Sequence, residues 1–83
     1  TVLAFANRQL GNYNEAEKHY TRALRLDADN KGALEYQGEM FIELGRLDEA
    51  NANLAKLKSL CPESCEELEM LENYIAGSAT KSW

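Results

Sequence analysis

Shifted along itself by 34 residues, this 83-residue chain matches itself in a single register without a gap. Leu10-Gly11 falls on Leu44-Gly45, Glu15-Ala16 on Glu49-Ala50, and Leu26 on Leu60. Similar residues fill the intervals: Ala4 with Gly38, Tyr13 with Leu47, Asn14 with Asp48, Tyr20 with Leu54, and Arg22 with Lys56. A period of that length demands a small unit that cannot bury its apolar face alone and must stack on its neighbours. Chains of about 80 residues have thin cores, which local stacking suits.

The same residues carry helical spacing. Ala16, Tyr20, Ala23, Leu24 and Leu26 form one apolar stripe, and Leu34, Gly38, Phe41 and Leu44 form another. Gly11 and Gly45 each follow a leucine at the end of a stripe, where a left-handed helix stop favours glycine. Asn12-x-x-Glu15 reads as an N-terminal cap with Glu15 reaching back. Five helices are expected, over Thr1–Leu10, Tyr13–Leu26, Lys31–Leu44, Asp48–Leu60 and Cys65–Ala76, with short connections that make consecutive helices antiparallel neighbours. The segment from Gly77 to Trp83 reads as a frayed tail. Thr1 is followed at once by Val2-Leu3-Ala4-Phe5-Ala6, which reads as the middle of a helix and hence of a longer chain.

Nine Lys and Arg against fourteen Asp and Glu leave a net charge of −5. That balance disfavours nucleic acid, whose binding is driven by counterion release, and anionic membrane surfaces. No apolar run approaches the about 20 residues of a membrane helix. The expectation is no nucleic-acid partner and no membrane insertion.

The second repeat resembles a tetratricopeptide repeat nearly position by position. Leu34, Gly38 and Phe41 stand where that family has its Trp, Gly and Tyr; Ala50 and Leu54 stand for the small and aromatic residues of the second helix, and Pro62 for the closing proline. Ala4, Gly11, Tyr13, Ala16, Tyr20 and Ala23 take the matching places in the first repeat. The small residues Ala16, Gly38 and Ala50 would let helix backbones approach closely. Three positions depart from the pattern: Gln37 replaces a Leu, Leu57 a small Ala, and Ala28 the first closing proline. Leu57 leads one to expect looser or shifted packing at the last junction. The resemblance implies an all-α fold, an α-α superhelix of antiparallel helix pairs. Its parts would be a first repeat over residues 1–30 with a truncated first helix, a second over 31–64, a capping helix over 65–76, and a flexible tail over 77–83. Leu68, Leu71 and Ile75 repeat the spacing of Leu34, Gln37 and Phe41, while Glu66, Glu67, Glu69, Glu72 and Asn73 are polar enough for the outer face of such a cap.

In that family the first helix of each pair lines a concave face where partners bind. By position, the resemblance implies a groove of Phe5, Arg8 and Gln9, then Glu35, Tyr36, Glu39, Ile42 and Glu43, then Glu66, Glu69, Met70 and Asn73. Glu35, Glu39 and Glu43 recur every four residues, on one side of one helix. Such carboxylates would favour a basic or amphipathic peptide or protein, with Phe5, Tyr36, Ile42 and Met70 as apolar anchors. The alternative is a merely solvated glutamate face, since Glu is a good helix former. Family members that grip the acidic tails of chaperones carry Lys, Arg and Asn in these places, and Glu would repel such a tail.

Cys61-Pro62-Glu63-Ser64-Cys65 joins the fourth helix to the fifth, and Ser64-x-x-Glu67 reads as a capping box with Cys65 the first helical residue. A chain turning through proline could bring the two cysteines within disulfide range. Three readings stay open: a structural disulfide in an exported or periplasmic protein, two free thiols in a cytoplasmic one, or a thiol redox or metal-handling module. Three residues between the sulfurs is not the two-residue spacing of thioredoxin-like or zinc sites, and neighbouring Glu63, Glu66 and Glu67 would disfavour a reactive thiolate. His19, the only histidine, reads as a surface residue, and no phosphate loop, metal cluster or nucleophilic triad is recognisable. The reading is a protein-binding scaffold that is not an enzyme and uses no cofactor, with self-association through exposed repeat ends as a further expectation.

Overall fold

The computed structural model describes residues 11–80, and within them four helices and no strand. They are α1 (Tyr13–Leu26), α2 (Lys31–Glu43), α3 (Leu47–Leu60) and α4 (Glu66–Thr80). The helix expected over Thr1–Leu10 lies outside the described residues.

α2 is the centre of the packing and touches all three other helices, while α3 also packs on α4. Nine of its thirteen residues are buried, so it shows little of the one-sided polarity that a surface helix needs. α1 is the opposite case. Only Ala16 and Tyr20 on its inner side are buried, and its outer side carries charge. Ala16, Tyr20, Met40, Phe41, Ile42 and Ala50 form one core cluster, and Leu34, Leu57, Cys61, Leu68 and Leu71 form a second. Ile75 packs against both and so ties α4 to the whole.

The small residues do what close helix contact requires. A Cβ on Gly38 would lie 2.8 Å from both methyl carbons of Leu71, so α4 approaches α2 at a point only glycine leaves open. Gln37, polar and buried, is satisfied by Asn53, whose Nδ2 donates to Gln37 Oε1 at 2.8 Å and to the Leu34 carbonyl at 3.1 Å. Leu57 is fully buried in the second cluster. Of the looser or shifted packing expected from its size, the looser form is not what is seen, because the leucine is packed among residues of α2, the end of α3 and α4.

The turn after α2 is a Schellman stop. Arg46 N donates to Phe41 O and Gly45 N to Ile42 O, with Gly45 at φ 75°. The hydrophobic contact usual in this motif becomes a cation–π one, with Arg46 4.7 Å from the centre of the Phe41 ring. The same guanidinium grips both Glu17 oxygens at 2.9 Å and both Glu49 oxygens at 2.8 and 2.6 Å, fastening the turn to α1 and to the first turn of α3. Hydrogen bonding to Arg46 holds the Glu49 carboxyl below its ordinary value, and Glu49 and Glu17 together hold Arg46 above its own.

Several boundaries differ from expectation. α2 ends at Glu43 and α3 begins at Leu47, each a residue early. Asn12 stands at the N-cap of α1, but its side chain makes no capping bond, and Glu15 pairs with Lys18 instead. Asn30 is the true side-chain cap, accepting from Ala33 N at 3.1 Å. Ser64 has φ 95°, far from the extended backbone of an N-cap, so the expected capping box is not formed. Cys65 takes that place, its carbonyl accepting from Glu69 N, and Glu66 is the first helical residue. At the other end α4 runs on to Thr80, past the limit expected at Ala76. Gly77 lacks the positive φ of a helix stop, and a Cβ there would meet nothing, so nothing at that position ends the helix.

Candidate functional site

The twelve residues expected to line a groove fall into three groups. Phe5, Arg8 and Gln9 lie outside the described residues. Glu35, Glu39 and Ile42 are buried, the two carboxylates at 1% and 8% exposure. At Glu35 and Glu39 that departs from both readings of the glutamate stripe, as an open groove wall and as a solvated face. The cause is the central position of α2, whose sides are almost all covered. Tyr36 is half-buried and Glu43 exposed.

Glu66, Glu69, Met70 and Asn73 form the third group, and all four are exposed. Their spacing of three, four and seven residues places them on one side of α4, opposite the buried Leu68 and Leu71. Met70 is 40% exposed, an apolar side chain in an otherwise acidic and amide surface. The first turn holds Glu66, Glu67 and Glu69, and the last turn has no basic residue. Acidic side chains at a helix N-terminus are favoured by the helix dipole, so this charge sits where the helix tolerates it best.

Glu43 links this side of α4 to the rest of the molecule. Its carboxylate accepts from Tyr74 Oη at 2.6 Å and from Tyr13 Oη at 3.2 Å, joining α4, α2 and α1 at one corner. Neither tyrosine was among the expected site residues. Both partners are about thirty positions from Glu43, nearly one repeat length, and only the stacked fold brings them together.

Cys61 and Cys65 form a disulfide with Cα atoms 5.8 Å apart. Between them Ser64 N donates to Cys61 O at 2.9 Å, closing a turn with Pro62 at its second position, the place whose backbone angle proline presets. Cys61 is buried and Cys65 half-buried, so the bridge belongs to the second core cluster and its border. In this state neither sulfur is a nucleophile or a metal ligand. Among the described residues no three His, Cys, Asp or Glu side chains group as a metal site would require, and no helix is long and apolar enough to cross a membrane.

Residues 1–30 and residues 33–64 each match a family model described as tetratricopeptide repeat, and between them they span most of the chain. Comparison with curated proteins and with solved structures finds no significant match in either set.

Proposed function

The chain belongs to the tetratricopeptide repeat family, and on that premise we propose that it holds a basic, amphipathic segment of another protein against the exposed side of α4. The family's function is that of a protein–protein interaction scaffold, typically without catalysis, and this is the general role of the chain. The finer reading rests on one observation. Glu66, Glu69, Met70 and Asn73 stand exposed together on one side of α4, while Glu35 and Glu39, which would have shared the work, are buried. Two carboxylates flanking a methionine suit a ligand that presents cations around an apolar residue, since complementary potential guides orientation and the apolar contact adds affinity. The net charge of −5 draws such a ligand in from a distance.

Fluorescence anisotropy with three labelled helical peptides tests this. One is basic and amphipathic, one is the same peptide with its lysines changed to glutamates, and one is neutral and polar. The basic peptide binds, and its affinity falls as salt is raised, because exposed charges more than a Debye length of about 10 Å apart are screened at 0.1 M. The double variant Glu66→Lys, Glu69→Lys weakens it by about tenfold, the size two modest surface pairs can supply. Equal binding of the acidic peptide, or unchanged affinity in the variant, overturns the reading.

A further inference from the structure

Among the described residues the most exposed large apolar side chain is Leu26, at 80%, at the end of α1. It adjoins two arginines on the outer side of that helix, Arg22 and Arg25, which make no ion pair among the described residues. Arg22, Arg25 and Leu26 stand at i, i+3 and i+4. On α4, Glu66, Glu69 and Met70 stand at the same spacing, also exposed, and the two glutamates make no ion pair among the described residues either. Two surface patches of one chain therefore present the same geometry with opposite charge, each beside one apolar side chain.

We infer that a second copy of this chain is a partner for the α4 surface, its α1 lying parallel to α4 of the first. In side-by-side parallel helices like positions meet along the seam, as the a and d positions of a parallel coiled coil do. Arg22 then faces Glu66 and Arg25 faces Glu69 along the seam, while Leu26 and Met70 lie on its opposite flanks, each beside the other helix. The charge-bearing residues are separated by about 4.5 Å of rise on both helices, so both pairs form in one register. This rests on the reading of the α4 surface given above and names one partner for it. Because the two patches differ, the contact is heterologous, and it leaves an α1 patch free on one end and an α4 patch on the other. Assembly therefore proceeds head to tail beyond a dimer. Two exposed ion pairs with one apolar side chain on each flank make it weak, salt-sensitive and dependent on protein concentration.

Sedimentation of the full chain over a range of concentrations tests it, at low and at high salt. Wild type shows a mass that rises with concentration at low salt and falls back to monomer at high salt. The variant Arg22→Glu, Arg25→Glu stays monomeric at low salt, because both patches are then acidic. Glu66→Arg with Glu69→Arg also stays monomeric, because both are then basic. An equimolar mixture of the two variants associates again, since each now offers what the other lacks. Circular dichroism establishes that each variant keeps its helices, and Glu66→Gln with Glu69→Gln, which leaves no cation at the α4 N-terminus, gives a weakened association of its own. A wild type that stays monomeric, or variants that associate alone as wild type does, or a mixture that fails to associate, overturns the inference. The peptide titration is read separately: a monomer that still binds the basic peptide through Glu66 and Glu69 sinks self-association alone, and a chain that binds neither sinks both.

Discussion

Leu57 occupies a position where the family usually has a small alanine, and its side chain has no exposure at all. It shares its cluster with Leu34 of α2, Cys61 at the end of α3, and Leu68 and Leu71 of α4. The departure is therefore a packing solution for the last junction. Leu57→Ala would restore the usual residue and yet leave a cavity, so it should destabilise the fold by about 2–5 kcal/mol in urea or thermal unfolding. A neutral or stabilising result would mean that the junction can collapse around alanine, contrary to the packing described. Gln37 makes a parallel point. A glutamine at a core position looks like a defect when read along the chain, because its partner Asn53 lies sixteen residues away on another helix. Gly38 was legible as a site of close approach, but its neighbour Leu71 belongs to the capping helix, more than thirty residues on. Residue types gave the demand for a contact in each case, and only the stack supplied the partner.

Among the elements, α4 depends most on contacts outside its own repeat. It has no following helix within the described residues, and it is held by Leu68, Leu71 and Ile75 on one side, the Tyr74–Glu43 hydrogen bond near its middle, and the disulfide just before its start. The bridge closes a very small loop, for which chain-entropy arguments give about 2 kcal/mol. Reduction should thus lower stability modestly, and the loss should be local. Hydrogen exchange should show α4 amides losing protection before those of α2 and α3. Equal loss in all three helices would indicate one cooperative unit, and no loss would indicate that packing alone holds α4. Helix positions were legible to within a residue at most ends, since the apolar stripes and Gly45 marked them. The N-terminus of α4 was also within a residue, Cys65 expected and Glu66 found, but the capping box that argued for it does not form. A capping motif competes there with the geometry of a five-residue bridged turn, and Ser64 adopts a left-handed backbone that a capping residue cannot use. Its C-terminus was misplaced because a glycine stops a helix only where the backbone turns left-handed, and Gly77 does not.

For the whole molecule, the 34-residue period was enough to set the helix order and the antiparallel stacking, because stacking is the only way such a unit can hide its apolar face. It was not enough to set which side of α2 meets water. Periodicity treats each helix as having one wet side, and Glu35, Glu39 and Glu43 were read accordingly. α2 is enclosed by its neighbours, and of the three only Glu43 is exposed, held by tyrosines from two other helices. Glu66 and Glu69 stand exposed on α4 and Arg22 and Arg25 on α1, so the first and last described helices carry exposed patches of opposite charge. That division underlies both the preference for a basic partner and the head-to-tail contact between copies. The central claim is that the partner sits on the exposed side of α4. Amide chemical-shift mapping during titration with the basic amphipathic peptide tests it most directly. The largest shifts should cluster at Glu66, Glu69, Met70 and Asn73, with smaller ones at Glu43 and Tyr36. Shifts concentrated instead on the exposed side of α3, at Asn51, Ala55 and Lys58, would contradict it.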